Sequence, residues 1–419
     1  MYDRRTWGLS KTNRDALDPV AEQRSAAPYR WVILAVATLT QAATGFVFVG
    51  VGTLAGFLQR AFSLSGAQTG LVVTALGVVP LFALLPVGRL LDRHGERAIV
   101  TGGALLLATG AGAAAFAPSY PLLLALLLVG GSGYATSQPG GSKAVAGWFQ
   151  PDQRGLAMGI RQTGLPLGGA AAAAILPALA ASAGWREALG SAAAVAAVGA
   201  ILFGLAYRPS ERNPVDGYAF MAQLGRLFGS PAVRPVLWAG VVLVSAQFCI
   251  ISYLMLFLRD GHGLPLARGA WFLFTAQALG AVGRVALGAR SDRLGHGRRM
   301  RSVEESLVLA AGSTFALPLL SPEAGVGVLL LVTAVLGFFA FGWYGPWVVH
   351  VAEVAPRGAV GLTLGLAMTI NQLGIVGAPP LFGLALDLSG SYLVAWWALA
   401  AALLLVALRV RLGLRRGEA

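Results

Sequence analysis

The sequence predicts an all-α membrane protein of 12 transmembrane helices in two pseudo-symmetric six-helix bundles. Three observations predict it. Hydrophobic residues make up 56% of the 419-residue chain and charged residues only 12%, about half the charged share of a soluble protein. Apolar runs long enough to cross a bilayer, which takes about 20 residues, recur twelve times. One charged segment also recurs. Gly88-Arg89-Leu90-Leu91-Asp92-Arg93-His94-Gly95 is answered by Gly288-Ala289-Arg290-Ser291-Asp292-Arg293-Leu294-Gly295, with glycine, aspartate, arginine and glycine at the same four places. A repeat offset near half the chain length marks two related bundles.

The elements follow in order. Residues 1–30 are polar and lack the apolar core and cleavage site of a removable leader; they read as a cytoplasmic tail. The first bundle, 31–208, holds spans at 31–58, 67–91, 98–118, 120–149, 154–181 and 186–207. The longest polar gap, 209–233, reads as a central cytoplasmic loop. Within it Phe220, Met221, Leu224, Leu227 and Phe228 recur at helical spacing, the pattern of an amphipathic helix lying on the membrane surface. The alternative is a plain linker. The second bundle, 234–410, holds spans at 234–258, 266–290, 302–321, 324–352, 358–386 and 390–409, the last two joined by a short turn at Asp387-Leu388-Ser389-Gly390. Residues 411–419 form a second cytoplasmic tail.

The net charge of +13 reports topology rather than nucleic acid, because the basic residues sit in short loops between apolar runs. With both termini cytoplasmic, only Arg60, Arg186, Arg259 and Arg268 of the 31 basic residues fall outside, and Lys143, Arg161 and Arg284 fall within spans. That bias orients the chain by the positive-inside rule. The expected localisation is a bacterial plasma (inner) membrane, crossed many times, with both termini cytoplasmic. The single cysteine, Cys249, excludes an internal disulfide. There is no Cys/His metal cluster, phosphate loop or nucleophile elbow, so no enzyme, cofactor or metal is expected. Gly164-Leu165-Pro166-Leu167-Gly168-Gly169 lies inside a span, where glycine and proline permit bending and close packing.

The paired G-x-x-x-D-R-x-G turns, the twelve spans and the central loop resemble the major facilitator superfamily. The resemblance implies alternating access between two bundles. In it, Gly88, Asp92, Arg93, Gly288, Asp292 and Arg293 are gating residues: the glycines permit close helix contact, and the aspartates pair with arginines or cap a neighbouring helix. Arg161-Gln162-Thr163-Gly164 is echoed 210 residues on by Asn371-Gln372-Leu373-Gly374, which places corresponding positions on a shared cavity. Within the superfamily, Trp148-Phe149 followed by Arg154 to Ile160, and Gly283-Arg284 in span eight, resemble the monocarboxylate and oxalate porters. That resemblance implies Arg284 as the substrate-carboxylate arginine. The chain departs from that group at span one, which reads Pro28-Tyr29-Arg30-Trp31, at Gly280 in place of an aspartate, and at Asn371 in place of a lysine.

Charge inside the membrane points the same way. All 18 acidic residues fall in tails, loops or span ends. The three internal cations each cost about 2.5–3.5 kcal/mol to insert and mark function by default. Helix rise puts Arg284 about 12 Å, Arg161 about 10 Å and Lys143 about 8 Å from the cytoplasmic turns. An anion is their natural partner, and an arginine fork suits a carboxylate. The bland alternatives are snorkelling and ties to backbone. Gln41, Tyr134, Gln277, Tyr344 and Asn371 complete the candidate cavity, Gln277 sharing a helix face with Arg284. His350 is a candidate proton carrier.

The expected function is therefore secondary transport of a small organic anion, with a monocarboxylate such as lactate as substrate, by proton symport or anion exchange. The expected partners are the substrate, a co-transported proton and the lipid bilayer, with a monomer as the working unit. A drug or metabolite efflux antiporter is the second reading, and a non-transporting sensor of the same fold the third.

Overall fold

The computed structural model describes residues 19–149, 153–209, 233–294, 299–355 and 360–416. All regular elements among them are helical. The first half comprises α1 (Pro19–Thr53), α2 (Ala55–Phe62), α3 (Gly66–Ala114), α4 (Tyr120–Tyr134), α5 (Ser137–Trp148), α6 (Arg154–Gln162), α7 (Gly164–Ser182) and α8 (Trp185–Ala206). The second comprises α9 (Val233–His262), α10 (Leu266–Leu294), α11 (Met300–Ala316), α12 (Val326–Gly342), α13 (Tyr344–Glu353), α14 (Val360–Ser389) and α15 (Tyr392–Arg416).

Eleven helical segments among the described residues are long and apolar enough to cross a membrane. The twelfth is α11, only 17 residues long and continued by a 3-10 turn at Leu317–Leu319. The outward faces carry Phe82, Leu205 and Trp271, all well exposed. Water would penalise such a surface, and hydrocarbon does not.

Several expected boundaries move. Helix α1 begins at Pro19, inside the stretch read as tail. Spans one, four, five and ten are each two helices meeting at a break. Spans two and three are two helical limbs joined directly at Gly95, whose φ of 80° and ψ of 163° suit a residue without a side chain. The bend brings the two limbs side by side, because a Cβ at Gly130 would touch both Leu76 and Leu107. The repeated motif thus ends its first copy in the residue that turns the chain. The second copy's Gly295, and the amphipathic pattern expected within 209–233, lie outside the described residues.

Each half packs on itself, with α3 against α4 and α8, α1 against α7 and α8, α10 against α12 and α11 against α15. The halves meet mainly through α3 against α14 and α7 against α10. A two-fold that exchanges span two with eight and five with eleven carries one interface onto the other. This is the symmetry that the duplicated turns imply.

Candidate functional site

The helix breaks build the centre of the molecule. Backbone carbonyls beside a break lose their helical donors and must find others. Tyr134 is the last residue of α4 and Tyr344 the first of α13, 210 positions apart, the offset that relates Arg161 to Asn371. Both tyrosines lie within electrostatic reach of both Arg161 and Arg284. The four side chains come from opposite halves, two from each.

Arg284 on α10 spans the gap. Its Nε donates to the Phe341 carbonyl at 3.0 Å, and its Nη1 donates to the Gln162 carbonyl of the other half at 3.1 Å. Both carbonyls sit at breaks. For Gln162 the cause is Pro166, four residues on, which has no N–H to give. The guanidinium lies 5.1 Å over the Tyr344 ring. Its Nη2 makes no hydrogen bond among the described residues, and neither do the Tyr134 and Tyr344 hydroxyls. A monoanion held there would meet one guanidinium edge and two phenols. Phe48 stacks on Tyr134 at 4.0 Å and meets Phe248 edge-on, giving the site an apolar wall.

Arg161 is fully buried and bound to span four. Its Nη1 reaches Ser142 Oγ at 3.0 Å and Gln138 Oε1 at 3.3 Å; its Nη2 reaches the carbonyls of Ser137 at 2.9 Å and Gln138 at 3.2 Å. It lies across Gly141, where a Cβ would come within 2.5 Å of Nη2. Both terminal nitrogens are occupied, and its Nε is buried without a partner among the described residues.

Lys143 is not in the centre at all. Its Nζ lies 2.5 Å from Asp92 and 3.4 Å from Glu96. The expectation that the internal cations lack carboxylate partners fails here, because the bend at Gly95 carries two acidic residues to α5. Asp292 pairs with Arg299, which also holds Glu353 at 2.6 Å, and Arg290 pairs with Glu305.

A match to the family model described as Major Facilitator Superfamily extends over residues 37–379. The chain belongs to that superfamily. An uncharacterised transporter of this type from Mycobacterium tuberculosis is 33% identical over 373 residues, covering 88% of this chain and 81% of its own. A gentisate transporter of Corynebacterium glutamicum is 28% identical over 82% of this chain and 78% of its own. The 3-(3-hydroxy-phenyl)propionate transporter of Escherichia coli is 27% identical over 82% and 84%. Among solved structures, an inward-facing, unoccupied bacterial homologue of the human lysosomal transporter Spinster superposes with a TM-score of 0.78 at 18% identity, covering 93% of this chain and 97% of that one; this likeness is one of fold.

In this major facilitator protein the remaining expected site residues are distributed as follows. Gln277 donates to the Gly169 carbonyl at 3.0 Å. It lies seven residues before Arg284, as Gln162 lies seven before Gly169, so the two bonds rivet antiparallel α10 to span five. Gln41 donates to Gln162 Oε1 at 3.2 Å, while its own Oε1 is buried without a partner among the described residues. Asn371 lies against Gly240 of α9, its Oδ1 buried without a hydrogen-bond partner among the described residues. His350 is buried at the motif-bearing end, 3.7 Å from Glu353. Gly88 and Gly288 do not make the close helix contacts expected of them, since a Cβ at either would meet nothing within 4 Å. Close approach is made instead by Gly131, Gly133, Gly283 and Gly337. Arg93 and Arg293 are exposed, and the aspartates beside them pair within their own halves. Sequence reasoning missed the Gln162 carbonyl, whose signal was Pro166, and Asp387, whose place at a span end concealed it.

Proposed function

We propose that this chain is a secondary active transporter of a small organic anion, with a monocarboxylate as its substrate and Arg284 as the carboxylate clamp. The observation that carries the reading is the state of the three cations. Lys143 is neutralised by two carboxylates. Arg161 has both terminal nitrogens bound to span four and only its buried Nε left over. Arg284 keeps a terminal nitrogen, Nη2, free beside two free phenols. One available cation fits one carboxylate. The gentisate and hydroxyphenylpropionate named for two relatives are carboxylates, which supports the class. The two buried guanidinium groups, Arg161 and Arg284, repel a cationic drug, which counts against the efflux reading.

Tyr134 and Tyr344 orient the anion from opposite halves, with Gln41 beside them. Alternating access comes from rocking the halves about this centre. The motif-bearing end faces the cytoplasm, as the basic bias requires. Coupling is by proton symport, the substrate's own carboxyl or His350 carrying the proton, or by exchange of one anion for another.

Purified protein should be melted with lactate, gentisate, 3-(3-hydroxyphenyl)propionate, chloride and a cationic drug. A ligand that binds only the folded state raises the melting temperature. A rise with a carboxylate, lost in Arg284→Ala, is expected. A rise with the cation alone, or a carboxylate rise that survives Arg284→Ala, would overturn the assignment.

A further inference from the structure

The end opposite the motif turns is closed by contacts between the halves. Helix α3 starts there, and its first N–H groups have no helical acceptors. Ser65 takes one in a capping box with Gln68. The next two are taken by the other half: Gly66 N and Ala67 N donate to the two carboxylate oxygens of Asp387 at 2.6 Å and 2.8 Å. A carboxylate at a helix N-terminus gains charge-assisted hydrogen bonds and the favourable end of the helix dipole.

The surroundings fit this grip. Gly66 and Gly383 meet backbone to backbone, so that a Cβ at Gly383 would lie 2.2 Å from the Gly66 carbonyl oxygen. The Tyr253 hydroxyl lies 2.8 Å from the carbonyls of both Gly66 and Pro379. Arg259 Nη2 donates to Gln59 Oε1 at 3.1 Å, again across the halves. Arg259 and Tyr392 are meanwhile taken up by Asp260, so Asp387 spends its charge on the helix end alone.

At the motif-bearing end the pattern reverses. The side-chain hydrogen bonds of Lys143 with Asp92, and of Arg299 with Asp292 and Glu353, each stay within one half. The two-fold supplies no second copy of the carboxylate grip either, because the position 210 before Asp387 is Pro177.

We propose that Asp387 is the positioning residue that holds this end shut, its two bonds to the start of α3 setting the balance between the two access states. Opening this end breaks both bonds and leaves two amides and a carboxylate to water; closing it restores them. The inference is independent of the substrate's identity.

The test uses a Cys249→Ala background with a reporter cysteine at Ile251, whose side chain sits over Gly52 of the other half. A second reporter is placed at Val348, one turn from Tyr344 towards the motif-bearing end. A membrane-impermeant maleimide is applied to the Ile251 reporter from whichever side labels a cysteine at exposed Ser321, and to the Val348 reporter from the other side, so the result does not depend on orientation. Asp387→Ala is expected to speed labelling at Ile251 about tenfold and to slow it at Val348, because two charge-assisted bonds of the closed state are lost. Tyr253→Phe, which keeps the packing, is expected to do the same severalfold less. Unchanged labelling at Ile251 in both variants would overturn the proposal. So would faster labelling at both reporters, which marks general loosening rather than a shift between states.

Discussion

Lys143 and Arg284 look alike in the sequence, each a cation in an apolar run, and the fold gives them different chemistry. Lys143→Ala removes the partner of buried Glu96 and exposed Asp92. The lysine side chain is 37% exposed, so the cost should fall to about 1–2 kcal/mol, below the 3–5 kcal/mol of a fully buried pair. Thermal melting should show that loss, while a carboxylate still raises the melting temperature normally. Arg284→Lys keeps the charge and loses the fork. It is expected to weaken carboxylate binding by about tenfold or more with helix content unchanged, as read by titration calorimetry and circular dichroism. The sequence showed that cations sit in spans, because hydropathy is local. It could not show which of them finds a carboxylate, because Lys143 and Asp92 are brought together only by the bend at Gly95.

Glycine is abundant in this chain, and its helices use it unequally. A Cβ at Gly337 would lie 2.2 Å from Ala276 Cα, where α12 crosses α10. Gly312 in α11 has nothing within 4 Å. Gly337→Ala should therefore lower the stability by about 1–3 kcal/mol through overpacking. Gly312→Ala should be neutral or stabilising by up to about 1 kcal/mol, since alanine restricts the unfolded chain. Melting curves of the two variants in one detergent check the contrast. Span positions were legible element by element, because length and hydropathy suffice. The break in span five had its signal in Pro166, but those in spans four and ten were not legible, since both sides of each are equally apolar, and it is the breaks that make the site.

At the scale of the molecule, the duplicated turns forecast two related halves, and the exchange of the α3–α14 and α7–α10 interfaces meets that forecast. Orientation is open to direct test. In a Cys249→Ala background, a cysteine at Ser321 should react with impermeant maleimide on intact cells, and one at Arg301 only after permeabilisation; the reverse result would invert the topology. What the sequence could not carry was the conformation. The same residues must serve a state open at either end, and only contacts such as Asp387 on α3 distinguish them.

The carbonyl that Pro166 frees has a consequence for leakage. Chloride is abundant around most cells, and a bare guanidinium near the middle of a membrane would ferry it on every cycle. Arg284 is already solvated by two carbonyls. Chloride, a single spherical acceptor, can take only the remaining Nη2, whereas a carboxylate offers two directed oxygens, one for Nη2 and one for a phenol. The proline is thus expected to keep the empty carrier electrically quiet. Pro166→Ala returns an N–H to Gln162 and withdraws one carbonyl from the arginine. Liposomes carrying that variant are expected to pass chloride faster under an imposed voltage than those carrying the parent protein, and equal currents would show that the helix break guards nothing.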